Sequence, residues 1–260
     1  METGQDNMPQ TEVTNTEKKY SLSVLIHQDG LSFYTHNSTG IQETFSKEFK
    51  YSSNPIEILA AIEDVMASQE FLKQEFEDVK LIYHHNVFAA VPSALFEEEH
   101  AADYLKYNTK LLQTDTISID DPVPAFGAQM VYVAYSNVNN YFFETYGDHS
   151  YFHYSTRSLT TLSGMPSGIY LEIMPSHFYF TVMDKDHLVA HNIFPFEEVE
   201  DILYYTLFAL EQNKLDPETI PLTIVQNNKE QKLFDLLYTY VRNVNFIEDY
   251  KDYLNKVICA

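Results

Sequence analysis

LSVLIHQDGLSFY (residues 22–34) and IYLEIMPSHFYFTV (residues 169–182) follow the same pattern within one chain. In the first, apolar residues alternate on both sides of Asp29-Gly30, which predicts a tight β-hairpin, and the second likewise has two predicted strands around a turn at Pro175-Ser176. The elements predicted after each hairpin are a strand, a helix and a strand, over 45–49, 55–66 and 79–83 in the first half and 188–193, 197–210 and 221–225 in the second. The chain therefore predicts an α/β fold of two duplicated β-β-β-α-β lobes with mixed sheets.

A linker divides the two halves. The sequence SGMPSG at residues 163–168 has the glycine, serine and proline content typical of a connection between domains. We expect a first lobe over residues 20–165, with an inserted helical and strand segment, and a second lobe over 166–260. Residues 1–19 are polar and acidic, lack the apolar segment of a secretory signal, and are expected to form a disordered tail.

Capping residues predict several element boundaries. Asn54 is expected to cap a helix, and the glutamate three residues later can reach back to it. Ser93 and Asn137 are expected to cap two further helices, and Gly147 to end the second of these in a left-handed conformation. A strand is predicted over 149–155.

Composition excludes several classes of partner. The 260 residues carry a formal charge of −22 with only 16 basic side chains, which argues against binding to nucleic acid or to an anionic membrane surface. Cys259 is the single cysteine, so an intramolecular disulfide is impossible, which fits a reducing cytoplasm. No stretch approaches the roughly 20 apolar residues of a membrane span. We expect a cytoplasmic protein without direct membrane insertion.

The paired lobes, the Asp29-Gly30 hairpin and the phrase FAAVPS at 88–93 resemble the actin-like superfamily of sugar kinases, heat-shock chaperones and actin. This resemblance implies a ribonuclease H-like fold and is nearest to the pilus-assembly scaffold branch. From about Leu22 to Ile247 the chain also resembles a bacterial family described as a domain of unknown function (number 3822), which implies no reaction. The phrases that carry this second resemblance are YYTLFAL (204–210), LDPETIPL (215–222) and LYTYVRN (237–243).

The actin-like resemblance implies a nucleotide site between two glycine-bearing hairpins. In such ATPases backbone N–H groups hold the phosphates, and an aspartate orients Mg²⁺ or water. Asp29 and Gly30 occupy the first hairpin position, but its counterpart, PSH at 175–177, has neither glycine nor carboxylate, and residues 169–260 contain no glycine. We interpret Asp29-Gly30 as an ordinary hairpin turn at a vestigial phosphate loop. The sequence predicts no catalytic residue, no cofactor and no nucleotide hydrolysis.

Ten histidines raise a metal hypothesis. Pairs four residues apart would project from one face of a strand, whereas His84 and His85 would point to opposite faces. The spaced pairs are His149 with His153 and His187 with His191. Neither pair has a third ligand or a cysteine to complete a site, so structural or surface histidine is the favoured interpretation and no metal site is predicted.

One segment is unusually aromatic. Its rings are Tyr141, Phe142, Phe143, Tyr146, Tyr151, Phe152 and Tyr154. They fit core packing, or a patch for a protein partner, because tyrosine and phenylalanine are enriched at interfaces.

Two functions follow as hypotheses. The first is a non-catalytic interaction or scaffold module, monomeric or a modest homodimer. The second is an ATP- or small-molecule-binding enzyme that uses the cleft between the lobes, with Asp29 as a Mg²⁺-linked carboxylate.

Overall fold

The computed structural model of the protein describes residues 20–27, 29–50, 54–107, 109–112 and 115–259. The strands are β1 (Ser21–His27), β2 (Gly30–Asn37), β3 (Gly40–Glu48), β4 (Asp78–His84), β5 (Phe88–Pro92), β6 (Thr116–Ile119), β7 (Ala128–Ala134), β8 (Ser150–His153), β9 (Gly168–Ile173), β10 (His177–Asp184), β11 (His187–Pro195), β12 (Pro221–Val225) and β13 (Asn243–Phe246). The α-helices are α1 (Pro55–Ser68), α2 (Ala101–Lys106), α3 (Ser136–Tyr146), α4 (Tyr154–Leu162), α5 (Val199–Gln212), α6 (Gln231–Tyr238) and α7 (Tyr250–Cys259).

Two five-stranded sheets repeat one topology. Their strand orders are β3-β2-β1-β4-β8 and β11-β10-β9-β12-β13. In both sheets the first three strands in sequence are antiparallel, and the remaining two join them in parallel. The helices α1 and α5 occupy the same place in the two units, between the third and fourth strands. The predicted duplication of mixed α/β units is therefore confirmed.

Helices lie on the outer faces of the sheets and between them. On the first sheet, Leu22 and Val24 share a buried cluster with Ile58 of α1. On the second sheet, a separate cluster joins Leu171 to Leu233 of α6 and to residues of α5. The helices α4 and α7 pack against each other and contact strands of both sheets, so they lie between the sheets.

The inserted segment forms a small sheet of its own, in the order β5-β7-β6, which α2 covers. Its buried residues, including Val91, Leu105 and Val131, form a separate cluster. The insertion lies between β4 and α3, whereas the corresponding connection in the second unit runs directly from β12 to α6. Among the described residues, no helix combines the length and the apolar character needed to cross a membrane.

The structure confirms one predicted cap and corrects two others. Asn54 accepts hydrogen bonds from the second and third N–H groups of α1, and Glu57 reaches back to the backbone of Asn54. Ser93 instead begins a single 3₁₀ turn without a side-chain cap, and the next α-helix begins only at Ala101. The side-chain amide of Asn137 donates to the carbonyl of Pro55, 2.7 Å away, so it links α3 to α1 and does not cap α3.

The predicted strand over 149–155 is too long. Its pairing ends at His153, whose imidazole accepts a hydrogen bond from the N–H of Ser155 and so begins α4, a helix absent from the sequence prediction. Gly147 ends α3 with a φ of +80°, as expected. The four-residue strands β6 and β13 are too short to show a clear period in the sequence. The predicted tail, residues 1–19, lies outside the described residues.

The cap of α1 gives a prediction for stability. Asn54→Ala should lower the free energy of unfolding by about 1 kcal/mol, because two N–H groups of the first turn lose their acceptor. Urea denaturation followed by circular dichroism measures this change. Asn54→Ser, which keeps a capping oxygen, should remain close to the original protein. Equal losses in both variants would contradict the capping role.

Candidate functional site

The tips of the two long hairpins meet at the junction of the sheets. The hydroxyl of Ser176, in the turn between β9 and β10, donates a hydrogen bond to the carboxylate of Asp29 in the turn between β1 and β2. This contact faces solvent. Ser176 Oγ also lies 3.3 Å from Nδ1 of His177. The tips of the two hairpins are thus in direct contact.

Gly30 has a structural reason within its own sheet. A Cβ atom at this position would lie 2.8 Å from the carbonyl oxygen of Lys47 on β3, which is closer than a methyl group can approach. The glycine therefore allows β3 to approach β2 closely. This requirement is independent of any ligand.

Three imidazoles form a continuous chain beneath this contact. Nδ1 of His27 on β1 lies 2.5 Å from Nδ1 of His84 on β4, and Nε2 of His84 lies 3.2 Å from Nε2 of His177 on β10. The ring centroids are 4.6 and 4.7 Å apart. We call these three side chains the imidazole chain. It connects the first sheet to the second, and Tyr179 stacks on its central ring at 5.3 Å.

Further histidines surround the chain and have hydrogen-bond partners. His153 Nε2 lies 3.0 Å from the carbonyl oxygen of His85, and His85 Nε2 lies 2.9 Å from that of Val133. His191 Nε2 lies 2.7 Å from the hydroxyl of Ser155. These contacts satisfy the rings within the protein, which is the usual requirement for burying a polar group.

The histidine pairs that spacing singled out are separated in the fold. His149 lies 3.2 Å from the carbonyl oxygen of Gly147, away from the buried His153. His187 is exposed, whereas His191 points into the junction. Within the described part of the chain, one group has its potential ligand atoms within 4.8 Å of one another: Glu97, Glu99 and His100. All three are exposed, and none belongs to the junction.

Burial keeps these imidazoles neutral. It lowers the pKa of His27 and of His85 to about 4 and that of His191 to about 3. The pKa of His84 and that of His153 fall well below their usual range for the same reason, and neighbouring imidazoles add repulsion to any proton there. His27 as a whole residue is half-buried, and burial is the largest cause of the lowered pKa of its imidazole.

A buried carboxylate holds the centre of the junction. Glu172 lies in the otherwise apolar strand β9 and is fully buried. It accepts hydrogen bonds from Tyr154 Oη at 2.8 Å, Ser158 Oγ at 2.6 Å and Tyr253 Oη at 2.5 Å. Burial raises the pKa of Glu172, and the three hydroxyl donors oppose this shift. The side chain thereby ties β9 to both α4 and α7.

A cavity of about 500 Å³ opens beside the hairpin tips. The residues that line it include the aromatic Tyr34, Phe49 and Tyr250, together with Asp29 and Ser176. This volume is within the range of small-molecule sites, roughly 300 to 1,000 Å³. The cavity could enclose a small ligand that has both apolar and polar groups, because charged side chains such as Lys47 and Glu48 also line it.

The predicted aromatic segment is split between core and surface. Phe142 and Tyr154 are buried, and Tyr154 belongs to the junction. Phe143 is 59% exposed and Tyr151 is 39% exposed. The partly buried rings are Tyr141, Tyr146 and Phe152. The segment therefore offers surface rings on α3 and β8, but not all seven rings can touch a partner at once.

The residues that form the junction were missed in the sequence, although two signals were present. Glu172 is a single charge within the apolar run Ile169–Ile173, which indicates a buried carboxylate that needs donors. The buried residues of α4 recur at helical spacing, but several carry hydroxyl groups, which hid the apolar face of the helix. Neither signal identifies the donors, because these come from distant parts of the chain.

Comparisons with known proteins agree with this architecture. A structure from Bacteroides thetaiotaomicron VPI-5482, described as having an actin-like ATPase fold and unknown function, matches with a TM-score of 0.79 at 19% identity, covering 94% of this chain and 96% of the other. A chain of the PilM-PilN type IV pilus biogenesis complex matches with a TM-score of 0.57 at 11% identity, covering 88% of both chains. The ethanolamine utilization protein EutJ from Carboxydothermus hydrogenoformans matches with a TM-score of 0.51 at 10% identity, covering 92% of this chain and 88% of the other.

These likenesses show that the fold is actin-like. No curated protein matches the sequence significantly. The family model "Protein of unknown function (DUF3822)" matches residues 9–244, so the chain belongs to that family.

The Glu172 site gives a prediction. Glu172→Leu should lower the free energy of unfolding by about 3 kcal/mol or more, because three buried hydroxyl groups lose their acceptor. Glu172→Gln keeps one acceptor oxygen and a similar shape, and should lose clearly less. Chemical denaturation of both variants measures the difference. A leucine variant as stable as the glutamine variant would show that the three hydrogen bonds do not hold the junction.

Proposed function

We propose that this member of the DUF3822 family is a non-catalytic interaction or scaffold module, a cytoplasmic actin-like protein that binds a protein partner and lacks a complete nucleotide site. Its lobes are residues 20–165 and 166–260. We expect it to bind neither nucleic acid nor an anionic membrane surface, because of its formal charge of −22. Repulsion between copies favours a monomer or a modest homodimer.

The observation that carries this proposal is the contact between the hairpin tips. In an actin-like ATPase the phosphates need backbone N–H groups from both hairpins and open space between them. Here Ser176 bonds to Asp29, and the imidazole chain occupies the region just beneath. The second hairpin has no glycine to let its backbone approach a phosphate. A triphosphate could enter only if these contacts were broken.

The candidate partner surface is formed by rings at the end of α3 and in β8. Behind this surface the rings continue into the core, from Tyr151 to His149 at 6.2 Å and from His149 to the buried Phe142 at 6.3 Å. The exposed rings at this surface are Phe143 and Tyr151. Aromatic side chains supply a large contact area with few rotatable bonds. The PilM-PilN complex supports the proposal to the extent that a protein of this fold acts there within a protein assembly.

The cavity favours a second candidate function, the binding of a small molecule at the junction. Its aromatic walls and the carboxylate of Asp29 offer both apolar contact and one polar anchor. An enzyme that used this cleft would place Asp29 as a Mg²⁺-linked carboxylate. The two candidates differ in their response to nucleotide.

Nucleotide binding can be tested by thermal unfolding with and without MgATP and MgADP. We expect no shift, whereas a nucleotide present at 100 times its dissociation constant would stabilise the protein by about 2.7 kcal/mol. A nucleotide-binding actin-like ATPase serves as the positive control. A clear shift that disappears in Asp29→Ala would overturn the scaffold proposal in favour of the second candidate.

Partner binding can be tested by cross-linking and affinity capture from the native cell. The double variant Phe143→Ser/Tyr151→Ser should lose a partner that the original protein retains, because two exposed contact rings are removed. The matched control is Tyr204→Ser/Phe208→Ser, which changes two exposed rings on α5 in the other lobe. Equal retention by both double variants, or a protein recovered alone, argues against this surface.

A further inference from the structure

We propose that the imidazole chain is an acid-operated latch. Its neutral rings hold the two hairpins together, and proton uptake by the chain separates the hairpins and opens the junction to solvent. The three rings come from β1, β4 and β10, so the chain is a direct polar link between the two sheets at the hairpin tips. This device is separate from the proposed partner surface on α3 and β8.

The number of N–H groups and bare nitrogens in the chain limits how many protons it can bind while the hairpins stay together. Each of the two nitrogen–nitrogen contacts needs one N–H and one bare nitrogen. One added proton can be accommodated, because a protonated His84 donates to both neighbours. With two added protons, two N–H groups must face each other in at least one contact, whichever rings carry them. The second proton therefore turns an attractive contact into a repulsive one.

Among the charged groups near the chain, Asp29 is the one whose carboxylate acts on the chain histidines. Asp29 is the carboxylate beside the chain and raises the pKa of His27 and that of His177 against the larger effect of burial. It can offset one positive charge. The other titratable groups around His84 are His85 after β4, His153 of β8, Tyr154 of α4 and Tyr179 of β10. His191 of β11 stacks on Tyr179. Lys47, Glu48 and Lys50 line the cavity on its β3 side.

The sign of the pH effect follows from linkage. Burial lowers the pKa of the chain histidines in the closed state below the value of about 6.5 that an exposed imidazole has. The open state therefore binds more protons, and the closed state loses stability as pH falls below about 6.5. Glu172 behaves in the opposite way. Its raised pKa means that acid does not weaken its site. The sheets thus stay joined at Glu172 while the hairpin tips part.

Hydrogen exchange measured by mass spectrometry tests the latch on the full chain. Peptides over 29–34 and 174–179 report on the hairpins, and peptides over 55–68 and 199–212 report on the outer helices. After correction for intrinsic exchange chemistry, the hairpin peptides should exchange at least about tenfold faster near pH 5 than near pH 7.5, across the range where histidine titrates. The outer helices should change less than about twofold.

Two variants should move the transition in opposite directions. His177→Gln removes one titrating ring and should lower the midpoint pH of opening. Asp29→Asn keeps an acceptor for Ser176 but removes the offsetting charge, and should raise that midpoint. His187→Gln, at an exposed position of β11, should leave it unchanged. Simultaneous exchange of hairpins and outer helices would mean that acid simply unfolds the protein, and would overturn the latch. Unchanged hairpin exchange, or identical midpoints in the first two variants, would overturn it as well.

Discussion

A carboxylate can be buried between two sheets only where protein donors replace the water it loses, and Glu172 meets this condition with three hydroxyl groups. The donors come from α4 and α7, the two helices that lie between the sheets. If either helix moved, Glu172 would lose a donor in a place that water does not reach. The position of β9 against α4 and α7 is therefore set by a polar requirement and not by apolar packing alone.

The imidazole chain forms the other part of the junction. Histidine suits this place because a neutral imidazole offers one hydrogen-bond donor and one acceptor on a flat ring that can stack on its neighbours. Tyr179, at the centre of this region, stacks on His84 at 5.3 Å and on His191 at 5.5 Å. A junction built this way is well packed at neutral pH and carries no net charge along the chain. Its weakness is that each imidazole can take up a proton, which a phenylalanine ring in the same place cannot do.

The fold is actin-like, and the polar groups described at its junction bond to one another. Two sheets of the same topology, two helices between them and an inserted small sheet preserve the architecture. The polar groups at the junction serve one another: Ser176 bonds to Asp29, and hydroxyl groups surround Glu172. Function in such a molecule depends on its particular surfaces and cavities, because a shared fold does not carry a shared activity.

The sequence by itself determined the repeated hairpins and the helix that Asn54 begins, because each depends on residues close together in the chain. Alternation of apolar residues and turn chemistry act over a few positions, and they needed no knowledge of the partner strands. Short strands such as β13 and the hydroxyl-rich helix α4 escaped because their local patterns are weak.

Only the tertiary structure decided what lies between the sheets. The donors to Glu172 are 14, 18 and 81 residues away in sequence, and the contacts of His84 reach 57 and 93 residues along the chain. The periodicity that places a side chain on one face of a strand does not say which distant side chain will meet it there. That choice is made when the two sheets pack on α4 and α7, where buried polar groups must find partners.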